Sequence, residues 1–296
     1  MSTIIDQDAG DNWSAIHGDS GHALTDMPTG SVDFSVYSPP FVDLFVYSQT
    51  AADLGNCAND AQFFEQYRQI IREVKRVTKP GRLTAVHCTD LPTRKYRDGH
   101  IGIKAFSDQI RAAHEAEGWI YHCRITVWRD PVVEMQRTKA LGLLYKQLCK
   151  DSAMSRVGLA DYVLVFRAPG DNPVPVGKDR ATFPVATWQQ WASPVWMDID
   201  QTDVLNGRTA RESDDERHVC PLQLGLIDRA IRLWSNPSEV VLSPFMGIGS
   251  EGWAALRAHR KFVGIELKES YWRQACNNLR QAESETASDL FLEGTS

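Results

Sequence analysis

The chain has 296 residues, of which 43% are hydrophobic and 24% charged, and it carries a formal net charge of −6. That is room for one large α/β domain or for a domain with an insertion, and the acidic balance weighs against nucleic-acid binding through overall charge, although a local basic face would suffice. No apolar run approaches the ~20 residues that span a bilayer, Met1–Asp11 has no apolar stretch of the kind a signal peptide needs, and six scattered cysteines without a C-x-x-C pair point to reduced thiols rather than a zinc site or a disulfide framework.

Trp13–Asp19 reads as a short strand ending at a Gly-Asp turn, and Val32–Tyr37 as a second, buried strand leading into Ser38-Pro39-Pro40-Phe41. The stretch from Asp43 to Ala58 has no clear period and reads as a loop. Phe63, Phe64, Tyr67, Ile70, Ile71, Val74 and Val77 share one face at helical spacing, with Asn59 or Asp60 as the cap and Lys79-Pro80-Gly81 as the stop. Arg82–Cys88 is the next strand, Ala105–Glu117 a helix, Trp119–Trp128 a long strand and Tyr162–Phe166 another. Between those two strands, 129–156 carries six basic residues against three acidic ones and is the best candidate for a phosphate-facing surface, or else a solvated helix and loop. Ala168–Arg217 is rich in Pro and Asp and shows no strand–helix alternation. It reads as an insertion, with Trp188, Trp191 and Trp196 favoured as its small core over a base-stacking platform. Regular structure returns with a helix over Leu222–Trp234, a strand at Val240–Leu242, a helix over Ser250–Ala258, a strand at Lys261–Leu267 and a last helix over Ser270–Gln281. The tail after Ala282 is expected to fray.

Two loops carry the chemistry. Two prolines after a buried strand stiffen the chain and remove two backbone donors. The acceptors that remain, a hydroxyl and an aromatic ring suit a planar amine, although the tetrapeptide alone also fits an ordinary Pro-Pro turn. Gly247-Ile248-Gly249-Ser250-Glu251-Gly252 matches G-x-G-x-x-G between a strand and a helix, and Glu266 ends the next strand. Glycines admit a ligand close to the backbone, and a carboxylate at that tip can accept ribose hydroxyls. Both NAD and S-adenosylmethionine have the required adenosine. The position of the motif favours the second. Only about forty-five residues follow it, enough for one strand and one helix, so the remaining strands must come from the front of the chain. The sheet is then circularly permuted, with both loops at strand carboxyl ends beside a topological switch point. The expected order is Trp13–Asp19 at one edge, then Lys261–Leu267, Val240–Phe245, Val32–Ser38, Arg82–Cys88, Tyr162–Ala168 and Trp119–Trp128.

In that order the chain resembles the β-class DNA amino-methyltransferases. Ser38–Phe41 looks like their Asp/Asn/Ser-Pro-Pro-aromatic motif, Trp13–Ser20 like their Gly-Asp segment, and Gln62–Leu83 like their helix and Lys-Pro-Gly-Arg strand entry. His218–Leu222 resembles their His-Pro-x-Pro segment, Ser243–Gly249 their Asp-Pro-Phe-x-Gly-x-Gly loop and Phe262–Glu266 their Gly-Ile-Glu strand. Trp128–Leu148 looks like phage-encoded members. The resemblance covers nearly the whole chain and implies a doubly wound, seven-stranded Rossmann-like sheet. Residues 1–168 would be its catalytic half, 169–217 a target-recognition insertion and 218–296 the cofactor half.

The same resemblance implies residue roles. Ser38, Pro39, Pro40 and Phe41 would be catalytic, the first two accepting the amine hydrogens and Phe41 stacking on a base flipped out of the duplex. Phe245, Gly247 and Gly249 would hold the methionine part of S-adenosylmethionine, Glu266 the ribose, Asp19 the adenine amino group, and Cys220, Pro221 and Leu222 the methionine end. Ser243 stands where the family has Asp, which keeps an acceptor and loses a charge. Cys220-Pro221 has the reverse order of the Pro-Cys nucleophile of ring-carbon methylation, which sets that chemistry aside. Serine at position 38 goes more often with cytosine than with adenine in this family. The implied partner is double-stranded DNA, with a homodimer compatible and no metal and no membrane required. The implied setting is the cytoplasm of a bacterial or phage-infected cell, in restriction–modification. The reading from another class is a nucleotide- or DNA-binding module that keeps the fold without the reaction.

Overall fold

The computed structural model describes residues 4–40, 57, 60–93, 95–205 and 221–293. In chain order these form β1 (Ile4–Ala9), β2 (Trp13–Gly18), α1 (Ser20–Ala23), β3 (Val32–Tyr37), α2 (Asp60–Val77), β4 (Thr78–Thr89), β5 (Leu91–Pro92), α3 (Lys95–Asp98), β6 (Ile103–Lys104), α4 (Phe106–Ala116) and β7 (Ile120–Val127). There follow α5 (Pro131–Thr138), α6 (Tyr145–Lys150), β8 (Asp161–Arg167), α7 (Val185–Trp191), β9 (Val195–Trp196), α8 (Leu224–Trp234), β10 (Val240–Ser243), α9 (Ser250–Arg257), β11 (Lys261–Glu266) and α10 (Glu269–Glu293).

One sheet organises the chain, in the order β1-β2-β11-β10-β3-β4-β8-β7-β9. The strands from β2 to β4 run parallel, and β8 is antiparallel to both neighbours. The inner strands are apolar on both faces because helices cover both. Val163 and Val165 of β8 pack with α8, α9 and α10, whereas Leu164 and Phe166 pack with α2 and α4. The seven inner strands stand in the expected order, with β10 beside β3.

Three expectations are corrected. The strand at Trp13 is not the edge: β1 lies outside it, antiparallel, with Asp6 exposed and Asp8 half-buried and paired with Arg280. Ile-Ile-Asp-Gln-Asp-Ala carries little apolar signal because an edge strand is held by its backbone ladder, and its charges discourage further pairing. The insertion is not without a strand: Val195–Trp196 pairs with the far edge of the sheet, Thr126 opposite Val195. The last helix does not end near Gln281 but runs to Glu293. Ala282 is buried, Glu283 accepts from Asn12 N at 2.8 Å and from Trp13 Nε1 at 3.1 Å, and Glu285 pairs with Arg257 at 2.6 Å. Contacts distant in sequence extend that helix, and local periodicity does not record them.

Candidate functional site

Register brings the two loops to one edge. In the parallel pairs, Leu242 stands opposite Ser35, Ser243 opposite Gly264, Glu266 opposite His17, and Tyr37 opposite Val86. Ser38 therefore emerges beside His87, and the β10 loop emerges beside Ser38 on its other flank. Asp161 at the start of β8 faces Thr89 at the end of β4. The β7–β8 excursion, residues 128–160, thus leaves the sheet at this same edge.

Ser38 is half-buried, Pro39 buried and Pro40 half-buried. Ser38 Oγ donates to the His87 carbonyl at 3.2 Å. A hydroxyl has one proton and two lone pairs, so a proton held by His87 leaves Ser38 as an acceptor toward the cleft. Beneath it, Tyr37 is fully buried and its phenol is pushed up to about 12 by that burial. Phe41, His218, Val219 and Cys220 lie outside the described residues, as do 43–56 and 58 of the expected loop.

On the other flank the β10 loop is held by neighbours on every side. Met246 N donates to Ile265 O at 3.0 Å, Gly249 N to Met246 O at 2.8 Å, and Asn278 Nδ2 to Ile248 O at 2.8 Å. Ser20 Oγ, at the start of α1, donates to the Pro244 carbonyl at 2.5 Å. Gly247 and Gly249 adopt φ of 53° and 88°, conformations that L side chains rarely take. Glu266 Oε2 accepts from Gly247 N at 2.9 Å and Oε1 from Lys268 N at 2.8 Å, which fixes the carboxylate at the tip of β11. Asp19 caps α1 through Oδ1, bonded to His22 N at 3.1 Å. Phe245 is half-buried with its ring centroid 5.8 Å from that of Tyr37, so it bridges the two loops. Pro221 is half-buried and Leu222 buried, just before α8.

One atom in this cradle lacks a partner. Ser243 Oγ is fully buried and makes no hydrogen bond among the described residues. A buried hydroxyl left unpaired costs free energy, and such a group next to a glycine loop is fitted to a polar ligand. The positive-φ glycines, the fixed Glu266 carboxylate and this hydroxyl together suit a ligand with an adenosine end and a polar amino-acid end. Two features of the site escape the sequence pattern. His87 lies against Ser38, a placement hinted only by a histidine near the carboxyl end of the neighbouring strand. Glu251, inside the glycine motif, is buried, and burial reinforced by the charge of Glu266 pushes its carboxyl up to about 8.

Residues 32–277 match the family described as DNA methylase. The chain belongs to this DNA methylase family. It is 24% identical over 279 residues to the DNA adenine methyltransferase YhdJ of Escherichia coli, covering 93% of this chain and 85% of that one. A shorter stretch of 79 residues is 37% identical to the type II methyltransferase M1.MboII of Moraxella bovis, 27% of this chain and 29% of that one. Among solved structures, the fold resembles a Thermus thermophilus protein complexed with S-adenosyl-L-methionine, with TM-score 0.66, 22% identity and coverage of 90% and 94%. It also resembles PvuII DNA methyltransferase, which is cytosine-N4-specific, with TM-score 0.65, 16% identity and 96% of both chains. The methylase is thus an amino-methyltransferase with DNA as its substrate and S-adenosyl-L-methionine as its cofactor.

The methylase's charged excursion is less free than its composition suggests. Arg129 pairs with Asp161 at 2.8 Å and Arg156 with Glu134 at 3.0 Å, so both fasten the excursion to itself and to the sheet. Lys139, Lys146 and Lys150 of the excursion remain exposed, as do the apolar side chains of Val132, Val133, Tyr145 and Leu148. The tryptophans of the insertion divide. Trp196 is buried in the core, whereas Trp188 is 57% exposed. The insertion also begins at the opposite edge of the sheet, where Arg82 Nη1 donates to Val174 O at 3.1 Å, and returns along β9.

Proposed function

We propose that the methylase transfers a methyl group from S-adenosyl-L-methionine to the 4-amino group of cytosine in duplex DNA, at Ser38-Pro39-Pro40-Phe41. The observation that carries this reading is the Ser38 hydroxyl, with its proton engaged by His87 and its lone pairs left for an amine. An exocyclic amine is a weak nucleophile because its lone pair is drawn into the ring. Acceptors at Ser38 Oγ and the Pro39 carbonyl pull on its two hydrogens and free that pair, and fixing the amine in place lowers the barrier further. The cofactor supplies an activated methyl group. Gly247, Gly249 and Phe245 enclose its methionine part, Ser243 and Pro221–Leu222 stand at the amino-acid end, Glu266 takes the ribose and Asp19 the adenine amino group. The target base leaves the duplex to reach this edge, and Lys139, Lys146 and Lys150 hold phosphates there.

Adenine is the second reading. It is favoured by the likeness to an adenine methyltransferase across 93% of the chain. Serine at position 38 favours cytosine. Mass spectrometry of nucleosides from unmethylated DNA, incubated with the protein and S-adenosyl-L-methionine, separates them. The expected product is 4-methylcytosine. 6-Methyladenine would overturn the base assignment, and no methylated base on several varied genomic DNAs would overturn the catalytic reading. Ser38→Ala should abolish turnover while cofactor affinity holds. An equal loss of cofactor affinity would refute the division into two half-sites.

A further inference from the structure

A chain of polar groups stands behind Ser38. Its Oγ lies 3.3 Å from His87 Nδ1, and His87 Nε2 lies 3.3 Å from Asp161 Oδ2. Asp161 Oδ1 accepts from Arg129 Nη1 at 2.8 Å. His87 and Asp161 are both buried, at 8% and 2% exposure. The sheet sets this arrangement, since β4 lies between β3 and β8 and carries His87 between Ser38 and Asp161.

The chemistry of the chain has a direction. A carboxylate only accepts hydrogen bonds, so between the two ring tautomers Asp161 favours the one with its proton on Nε2. Nδ1 is then a lone pair 3.3 Å from Ser38 Oγ, and the hydroxyl proton, which rests on the His87 carbonyl at 3.2 Å, reaches it by rotation about the Cβ–Oγ bond. Arg129 bonds one oxygen of Asp161, and the other lies 3.3 Å from His87 Nε2. The Nε2 contact is close but poorly aligned, and Nε2 has no aligned hydrogen bond among the described residues. Catalytic contacts are often loose before the substrate arrives and tighten when it binds.

We infer that His87 is a positioning residue and proton acceptor that acts through Ser38, with Asp161 fixing its tautomer. This rests on the methyl-transfer reading above. The amine that gains a methyl group holds one proton too many. Its N–H bond breaks, the electron pair stays on nitrogen, and the proton passes to Ser38 Oγ. The hydroxyl's own proton passes to His87 Nδ1. The resulting imidazolium lies against Asp161 and gives its proton to water when product leaves.

The test has two arms. The first uses nitrogen NMR of the full chain labelled at histidine, without cofactor or DNA, with His87→Gln identifying the signal. The expected spectrum shows Nε2 protonated and Nδ1 bare, shifting toward the other tautomer in Asp161→Asn. A protonated Nδ1 in the wild type would overturn the inference. The second arm measures single-turnover methyl transfer to genomic DNA. His87→Gln and His87→Asn should both lower the rate about 10²-fold, with cofactor and DNA affinities within twofold of wild type. Rescue of the rate by Asn, whose amide reaches the Nδ1 position, would reduce His87 to a hydrogen-bonding prop and refute the proton transfer. A wild type that transfers no methyl group overturns the functional reading, and this chemistry with it. An active wild type beside an equally active His87→Gln overturns this inference alone.

Discussion

Phe262 lies so close over Gly252 that a Cβ on the glycine would stand 2.5 Å from its ring. Leu279 of α10 crowds the same point. The third glycine of the motif is therefore a packing residue that lets α9 sit down on β11. Its φ needs no glycine; only the space does. Gly252→Ala should cost about 1–3 kcal/mol through overpacking, read as a lower midpoint in urea. An unchanged midpoint would mean that the α9–β11 seam has room that this geometry denies.

Ser243 makes an opposite pair of expectations. Its hydroxyl is buried and makes no hydrogen bond among the described residues. Ser243→Ala should therefore leave the cofactor-free protein as stable or up to about 1 kcal/mol more stable, while cofactor affinity falls roughly tenfold, the value of a hydrogen bond to a charged group. Titration calorimetry and urea unfolding on the same samples check both signs. Parallel losses would make Ser243 an ordinary structural residue.

The inner seven strands could be read from the sequence because each is short, apolar and bounded by turn residues. A doubly covered strand such as Val163-Leu164-Val165-Phe166 shows one unbroken run whichever face a residue takes. The permuted order followed from the place of the glycine motif, behind the Pro-Pro loop and its strands in the chain. β1 was not legible, since its stability lies in backbone pairing with β2. Nor was the final stretch of α10, which depends on Glu283 reaching Asn12 and Trp13. The loops of the candidate site announced themselves through Pro-Pro and Gly-x-Gly, residues that restrict or free the backbone. His87, Asp161 and Arg129 did not. They are far apart in sequence, and only the register of β3, β4 and β8 brings them together. Six basic residues in the excursion gave its sign, but Arg129 and Arg156 are spent on Asp161 and Glu134.

Arg229 ties α8 to the segment around β9. Its guanidinium lies 4.7 Å from the Trp196 ring centroid and 5.2 Å from that of Trp191, and Nη2 donates to Asp198 at 2.6 Å. The Arg229 partnership also holds the Asp198 carboxyl below its ordinary range. Arg229→Ala should cost about 2 kcal/mol, from lost stacking and a lost charge-assisted bond. It should weaken DNA retention while leaving cofactor affinity intact, since the Arg229 side chain meets Trp191, Trp196 and Asp198 of the 169–217 segment. Filter retention of labelled DNA at fixed salt and cofactor calorimetry make the comparison. A loss confined to cofactor affinity would contradict this placement.

Glu251 sets a pH dependence of stability. Burial, with the charge of Glu266 adding to it, raises its carboxyl from 4.5 to about 8 in the folded chain. Between those values the folded state holds a proton that the unfolded state has released, so stability falls as pH rises through this window. Below 4.5 both states are protonated and the contribution is whole; above about 8 both are ionised and the loss is complete. The full loss is roughly 3–5 kcal/mol at about 1.4 kcal/mol per unit. Carboxylates that the fold stabilises, such as Glu117 between Arg68 and Arg72, act in the other direction and at the acid end, where stability is lost as pH falls. The two effects separate in a difference measurement. Glu251→Gln keeps the shape of the protonated side chain and cannot ionise. Its unfolding free energy should match the wild type in acid and exceed it progressively up to about pH 8, then run parallel to it. Glu266→Gln should shrink that difference, because it removes the charge that opposes ionisation of Glu251. Curves for Glu251→Gln and wild type that stay parallel from acid to alkaline pH would mean that Glu251 is already charged in the folded chain, and that the glycine loop encloses a carboxylate rather than a neutral acid.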